Sequence, residues 1–256
     1  MSKLRVLDLF SGIGGFSLGL DRTGGFETVA FCEIEPFPRK VLAKHWPGVP
    51  CYHDITKLTG DILARDGIAV DVITGGFPCQ DISVAGKQAG IGEGTRSGLW
   101  SECLRLIGDL RPRYAIFENS SNLLIGPTDR PGAWFSRILG DLASIGYDAE
   151  WHCIPASYIG AWHRRDRVWL LTYPDQIDGK RRSEKPLVSK RELQKQPARV
   201  FKEWPGRSEA CEAGILRDVD GVPDRSHRVA ALGNAVVPQI PELIGNAILN
   251  SIRSAE

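Results

Sequence analysis

Between Leu4 and Phe10 (L-R-V-L-D-L-F) apolar positions bracket two charged ones, and the run stops at Ser11 to Gly15 (S-G-I-G-G). That pattern predicts a strand followed by a tight glycine loop. Helical spacing follows from Phe16 to Asp21, a second strand pattern runs from Glu27 to Ile34, and a helix opens with Pro36 and continues to His45. The alternation recurs with strands at Val70 to Thr74, Tyr114 to Glu118, Ala149 to Ile154 and Arg167 to Thr172. Helical segments fall at Leu99 to Leu110 and Ala133 to Ile145. Strands alternating with helices predict an α/β fold built on a mostly parallel, doubly wound sheet. The periodicity is lost from Tyr173 to about Gly221, where Lys, Arg, Glu, Pro and Ser dominate, and a closing helix is predicted from Ile240 to Ile252.

Composition narrows the class. The chain has 256 residues, 42% hydrophobic and 25% charged, which is ordinary for a soluble globular protein. No apolar run approaches the roughly 18 residues that would suggest a membrane span. Six cysteines are scattered without a C-x-x-C pair, so a reduced, cytoplasmic setting is expected. Cys51 with His53 and His152 with Cys153 lack a second pair at zinc-like spacing, and no metal is expected. The net charge of +1 conceals a basic stretch from Gly179 to Arg207, which carries ten Lys and Arg against three Glu. Such a run is either a solvated face or a footprint for phosphates.

Three places carry candidate chemistry. The block V-D-V-I-T, Val70 to Thr74, ends at Gly75-Gly76, so Cys79 falls on a loop just past a strand. In a parallel sheet that is the carboxyl edge, where ligands gather. Cys79 is therefore either a small packed residue or a nucleophile. The loop Gly12, Gly14 and Gly15 departs from G-x-G-x-x-G, yet its glycines let backbone N–H groups approach a ligand. Glu33 closes the second strand about 20 residues on, where a carboxylate accepts ribose hydroxyls.

Taken in order, D-L-F-S-G-I-G-G (Asp8 to Gly15), G-G-F-P-C-Q-D-I-S (Gly75 to Ser83), F-E-N-S (Phe117 to Ser120), H-R-R-D-R-V-W-L-L (His163 to Leu171) and G-N-A-V-V-P-Q (Gly233 to Gln239) form a series. The series resembles the cytosine-C5 DNA methyltransferases of bacteria and phages, over roughly residues 4 to 173 and 221 to 252. The resemblance implies a Rossmann-like sheet that binds S-adenosylmethionine. It divides the chain into a catalytic part (1–173), a short target-recognition region (174–221) and a C-terminal segment returning to the catalytic part (222–256). Cys79 matches the nucleophile that adds to cytosine C6, because C5 is too weakly nucleophilic to take a methyl group directly. Glu118 matches the acid that holds N3 and the 4-amino group. Arg165 is expected at the base or its phosphate, and Arg167 as a support of the loop.

For the cofactor the resemblance implies Phe10, Gly12 and Gly14 around the methionine portion and Glu33 at the ribose, with Ile34 also in the cofactor site. Asp54 and Ile55 would flank the adenine, Pro78 and Leu99 would line the pocket, and Asn234 with Ala235 would return from the C-terminus. The implied partner is double-stranded DNA with the target base extruded, and the basic stretch lies where the family carries target recognition. A monomer is expected, and a companion restriction endonuclease is left open. The chain departs from the family at Ser120, where valine is usual, at His163, where glutamine is, and at Trp162, where a small residue or proline is common. Alternatives at this point are a transfer-RNA cytosine methyltransferase, a silent DNA-binding relative and a Rossmann dehydrogenase.

Overall fold

The computed structural model describes residues 2–78, 99–128, 130–159, 161, 164–177, 180–181, 186–187 and 225–254. Cys79, Trp162, His163 and most of the basic stretch lie outside the described residues.

The first half of the chain lays down strands and helices in alternation. β1 (Leu4–Leu9) leads to α1 (Gly15–Arg22), β2 (Phe26–Cys32), α2 (Pro36–His45), the two-residue β3 (Cys51–Tyr52), α3 (Gly60–Arg65) and β4 (Val72–Gly75). There follow α4 (Trp100–Leu110), β5 (Tyr114–Ser120), the single turn α5 (Asn122–Ile125), α6 (Ala133–Ser144), β6 (Tyr147–Pro155) and β7 (Asp166–Pro174). A small hairpin, β8 (Gln176–Ile177) with β9 (Lys180–Arg181), precedes α7 (Arg225–Asn234) and α8 (Gln239–Arg253).

Seven strands form one sheet in the order β3-β2-β1-β4-β5-β7-β6. β1 pairs in parallel with both β2 and β4, so the chain builds outward on one side and then crosses to the other. Ligands in open α/β sheets bind outside the carboxyl ends of the strands at such a reversal. β7 runs antiparallel to β5 and to β6, in register from Tyr147↔Pro174 to Pro155↔Asp166. The link from Pro155 to Asp166 holds only a short 3-10 turn, Ala156–Ile159. A parallel return needs a crossover of a dozen or more residues, so this link turns the chain straight back.

Both faces of the sheet are covered, as near-continuous apolar central strands require. On one face Leu7, Leu9, Ile73 and Phe117 pack under Leu63, Trp100, Leu106 and Ile138. On the other, Val6, Val72, Ile116 and Trp169 meet Phe16, Leu20, Ile244 and Ile248 from α1 and α8. Each such side chain contributes roughly 1.5–3 kcal/mol of burial. Leu187, inside the stretch that lacks periodicity, is buried in the second cluster, and its backbone N–H donates to Glu150 Oε1 at 2.9 Å.

Four described differences from the sequence reading stand out. β2 ends at Cys32, two residues before the predicted end, so Glu33 and Ile34 lie just past the strand. β7 extends to Pro174 and the β8–β9 hairpin follows it, inside the stretch expected to be irregular. β3 is too short to show a period of two, and α3 is too short to show a helical stripe. α7 opens on R-S-H-R and its apolar residues, Val229 to Leu232, fall in one consecutive run, which gave no helical spacing to recognise.

Candidate active site

Turning from β1 into α1 takes the backbone through left-handed geometry at Phe10 (φ 49°), Gly12 (φ 53°) and Gly14 (φ 85°). Gly12 and Gly14 adopt it without a steric cost, while Phe10 is held there against its preference. A Cβ at Gly12 would meet no atom within 4 Å, so the loop opens onto free space. A Cβ at Gly14 would lie 2.6 Å from the Trp46 ring, which closes the underside. Trp46 is itself fixed by its Nε1–H, which donates to Asp21 Oδ2 at 2.8 Å.

Glu33 stands at the end of β2 beside this loop and is 7% exposed. Its Oε2 accepts the Gly12 N–H at 2.7 Å and its Oε1 accepts the Glu35 N–H at 2.8 Å. The Glu33 N–H in turn donates to the Tyr52 carbonyl at 3.0 Å, which draws the end of β3 alongside. Two residues further, Asp54 Oδ1 accepts from Thr56 N–H at 3.0 Å and its hydroxyl at 2.8 Å, and these bonds hold the Asp54 carboxyl below its ordinary range. Ile55 is buried in the core, whereas Ile34 is 56% exposed beside the loop.

Beneath the loop lies Asp8, which the sequence reading did not single out. It is fully buried, accepting from Thr74 Oγ1 at 2.7 Å and Ser17 Oγ at 2.9 Å. Burial pushes its carboxyl up to about 7, against the pull of the two hydroxyls. The signal in the sequence was an acid at the centre of an apolar strand, a position where charge is rarely tolerated unless paired.

The second part of the site forms where β4 and β5 end. Glu118 lies at the end of β5, with Arg167 Nε 2.8 Å from its Oε1. Burial pushes the Glu118 carboxyl up from its ordinary value, and Arg167 and then Arg165 pull it down. The next residue, Asn119, is buried and donates from Nδ2 to the Phe77 carbonyl at 3.2 Å. That bond fixes the segment leading through half-buried Pro78 to Cys79, which itself lies outside the described residues. Leu99, half-buried, caps the start of α4 on the far side of that undescribed segment.

Arg165 adopts a left-handed backbone (φ 37°) and turns its guanidinium to the C-terminal segment. Nη1 donates to the Gly233 carbonyl at 2.6 Å and Nη2 to the Ala235 carbonyl at 3.0 Å. The same segment touches the glycine loop, since a Cβ at Gly15 would lie 2.5 Å from the Val236 carbonyl oxygen. Phe10, Gly12, Gly14, Glu33, Asn234 and Ala235 are thus brought to one end of the sheet, with Glu118, Arg165 and Arg167 at the neighbouring strand ends.

All four described cysteines are held as thiols. Burial pushes Cys32 up to about 12 and raises Cys51, Cys103 and Cys153 as well. Among the described residues no group of His, Cys, Asp and Glu could hold a metal ion, and no helix is long and apolar enough to cross a membrane.

Comparison with known proteins identifies relatives of this chain. Type II methyltransferase M.Sau3AI of Staphylococcus aureus is 35% identical over 200 residues, which cover 73% of this chain and 48% of that protein. Type II methyltransferase M2.BsuMI of Bacillus subtilis (strain 168) is 36% identical over 172 residues, 66% of this chain and 41% of that one. A crystal structure of a putative DNA modification methyltransferase encoded within an Escherichia coli prophage superposes with a TM-score of 0.56 at 26% identity, covering 68% of this chain and 47% of that chain. The chain spans less than half the length of these curated relatives. A sequence profile described as C-5 cytosine-specific DNA methylase matches residues 4–221, and the chain belongs to that family.

Proposed function

We propose that this protein transfers a methyl group from S-adenosylmethionine to C5 of a cytosine extruded from duplex DNA, through a transient bond between Cys79 and C6. The observation that carries the reading is the buried Glu118 carboxyl, paired with Arg167 on the strand whose next residue pins the approach to Cys79. A carboxyl raised by burial holds a proton more readily at neutral pH, and a proton shared with N3 neutralises the ring as the thiolate adds. Addition of the Cys79 sulfur to C6 moves the C5–C6 electron pair to C5, which then takes the methyl group. Loss of the C5 proton to a base restores the double bond and expels the thiolate.

The cofactor residues fit S-adenosylmethionine on two grounds. The space over Gly12 is open, with no atom within 4 Å of where a Cβ would stand, and Glu33 is fixed by two backbone N–H groups while keeping lone pairs for ribose hydroxyls. When bound, the cofactor supplies a methyl group made electrophilic by its sulfonium. Glu33 orients the ribose, Asp54 and Ile55 flank the adenine with Ile34, and Pro78 and Leu99 line the pocket. Arg165 holds the Asn234–Ala235 segment against the glycine loop and so completes the wall.

Residues 1–173 and 222–256 act together as the catalytic part, and residues 174–221 read the target. The ten basic side chains of the Gly179 to Arg207 stretch supply phosphate contacts. The enzyme acts as a monomer on double-stranded DNA in a reducing cytoplasm.

Bisulfite sequencing of plasmid from an expressing host tests the reaction and its target together, and duplex DNA carrying 5-fluorocytosine tests the covalent step. Protected cytosines at one recurring sequence and a trapped adduct that disappears in Cys79→Ser are expected. Fully converted plasmid, or an adduct that survives the substitution, would overturn the reading.

A further inference from the structure

Ser120 is the last residue of β5, one pleat beyond Glu118 toward the carboxyl edge. Its hydroxyl oxygen is buried and, among the described residues, has no hydrogen-bond partner. Side chains two apart on a strand share a face, as do residues directly opposite in an antiparallel ladder. Ser120 pairs with Arg167 and Glu118 with Trp169, so Ser120, Glu118 and Arg167 all project to one face. The Arg167–Glu118 contact at 2.8 Å is the diagonal contact this register permits.

A buried hydroxyl left unbonded destabilises the folded chain, and most such groups find partners. Valine at this position would remove the deficit and suit the strand better. The neighbouring Asn119 shows how readily the segment satisfies its polar groups: its Nδ2 donates to the Phe77 carbonyl, and its Oδ1 accepts the Ser120 N–H at 2.8 Å. The orphaned atom therefore stands out within a well-bonded strand end, and it lies beside the one acid placed to hold a base.

We infer that Ser120 is a specificity-determining residue whose hydroxyl hydrogen-bonds the polar edge of the extruded cytosine next to Glu118. The inference rests on the reading under Proposed function. Strand rise separates the two Cα atoms by roughly 7 Å. Two side chains at that spacing on one face reach different atoms along one edge of a pyrimidine. A hydroxyl both donates and accepts, so it serves the ring carbonyl or the exocyclic amine. Two of the five Arg165 N–H donors are already committed to the Gly233 and Ala235 carbonyls.

The test measures methyl transfer to duplex DNA, S-adenosylmethionine affinity and thermal stability for the full chain and for Ser120→Val, Ser120→Ala and Ser120→Thr. Loss of one neutral hydrogen bond should lower kcat/KM for DNA by roughly three- to tenfold in the Val and Ala variants. Their Tm should equal or exceed the parent's, cofactor affinity should stay unchanged, and Ser120→Thr should recover most of the rate. Val and Ala variants as active as the parent would overturn the inference and leave the methyltransferase reading standing. A matching fall in cofactor affinity would also overturn it, by assigning Ser120 to the scaffold. A parent that transfers no methyl group to any duplex overturns the reading itself, and the role of Ser120 with it.

Discussion

Arg167 reaches diagonally across the β5–β7 ladder to set its Nε 2.8 Å from Glu118 Oε1. The pair is mostly buried, with side chains 27% and 13% exposed. Removing the arginine leaves a buried carboxylate without its main counter-charge, so Arg167→Ala should cost roughly 1.5–3 kcal/mol of stability at neutral pH. Arg167 lowers the Glu118 pKa, so its loss raises that pKa further above the unfolded value. The added deficit should be absent below the unfolded carboxyl range, where Glu118 is protonated in both states, and should grow as pH rises through the folded pKa. Urea unfolding at pH 4.5 and pH 8 measures this, and a deficit equal at both pH values would dissociate the arginine from the charge of Glu118.

Asp8 predicts a second pH effect of the same sign. Its folded pKa is raised to about 7 by burial, so its contribution to stability should decline as pH rises from the unfolded value toward 7 and stay level above. The span corresponds to roughly 4 kcal/mol. Asp8→Asn keeps a polar group for Ser17 and Thr74 but does not titrate. Its stability curve should be flatter than the parent's between pH 4 and pH 7, and a curve parallel to the parent's would refute the assignment.

Glu33→Ala should weaken S-adenosylmethionine binding by roughly 1.5–3 kcal/mol, the range for hydrogen bonds to a charged group. Glu33→Gln should lose less, since it still accepts one hydroxyl and the Gly12 N–H. Calorimetric titration with the cofactor gives both numbers. Affinity unaffected by either change would put the ribose elsewhere.

A Cβ on Gly19 would run into the Pro238 carbonyl oxygen and press on Pro241, where α8 begins against α1. Gly19→Ala should therefore destabilise the protein despite alanine's higher helix propensity, worth about 1 kcal/mol. Gly108 provides the contrast, because a Cβ there would meet nothing within 4 Å. Gly108→Ala in α4 should raise Tm slightly, by up to about 1 kcal/mol of added stability. Equal responses from the two glycines would show that the C-terminal helix is not tightly seated on α1.

The sequence by itself determined the order of the elements that carry a clear apolar period, because that period and glycine punctuation are properties of neighbouring residues. Val72 to Gly75, Tyr114 to Ser120 and Pro36 to His45 fold close to where their patterns placed them. Cys79 and Glu33 followed from the same logic, since a parallel α/β sheet gathers strand ends on one edge, whereas Glu118, Arg165 and Arg167 came from the family resemblance. Three relationships were decided only by the tertiary structure. Arg165 bonds carbonyls 68 and 70 residues away, Asn119 fixes Phe77 from another strand, and Asp8 is buried under two hydroxyls from α1 and β4. None of these contacts leaves a mark on adjacent positions. Each arises when segments far apart in the chain are packed side by side, and only that packing removes water from a carboxyl or aims a guanidinium at one carbonyl rather than another.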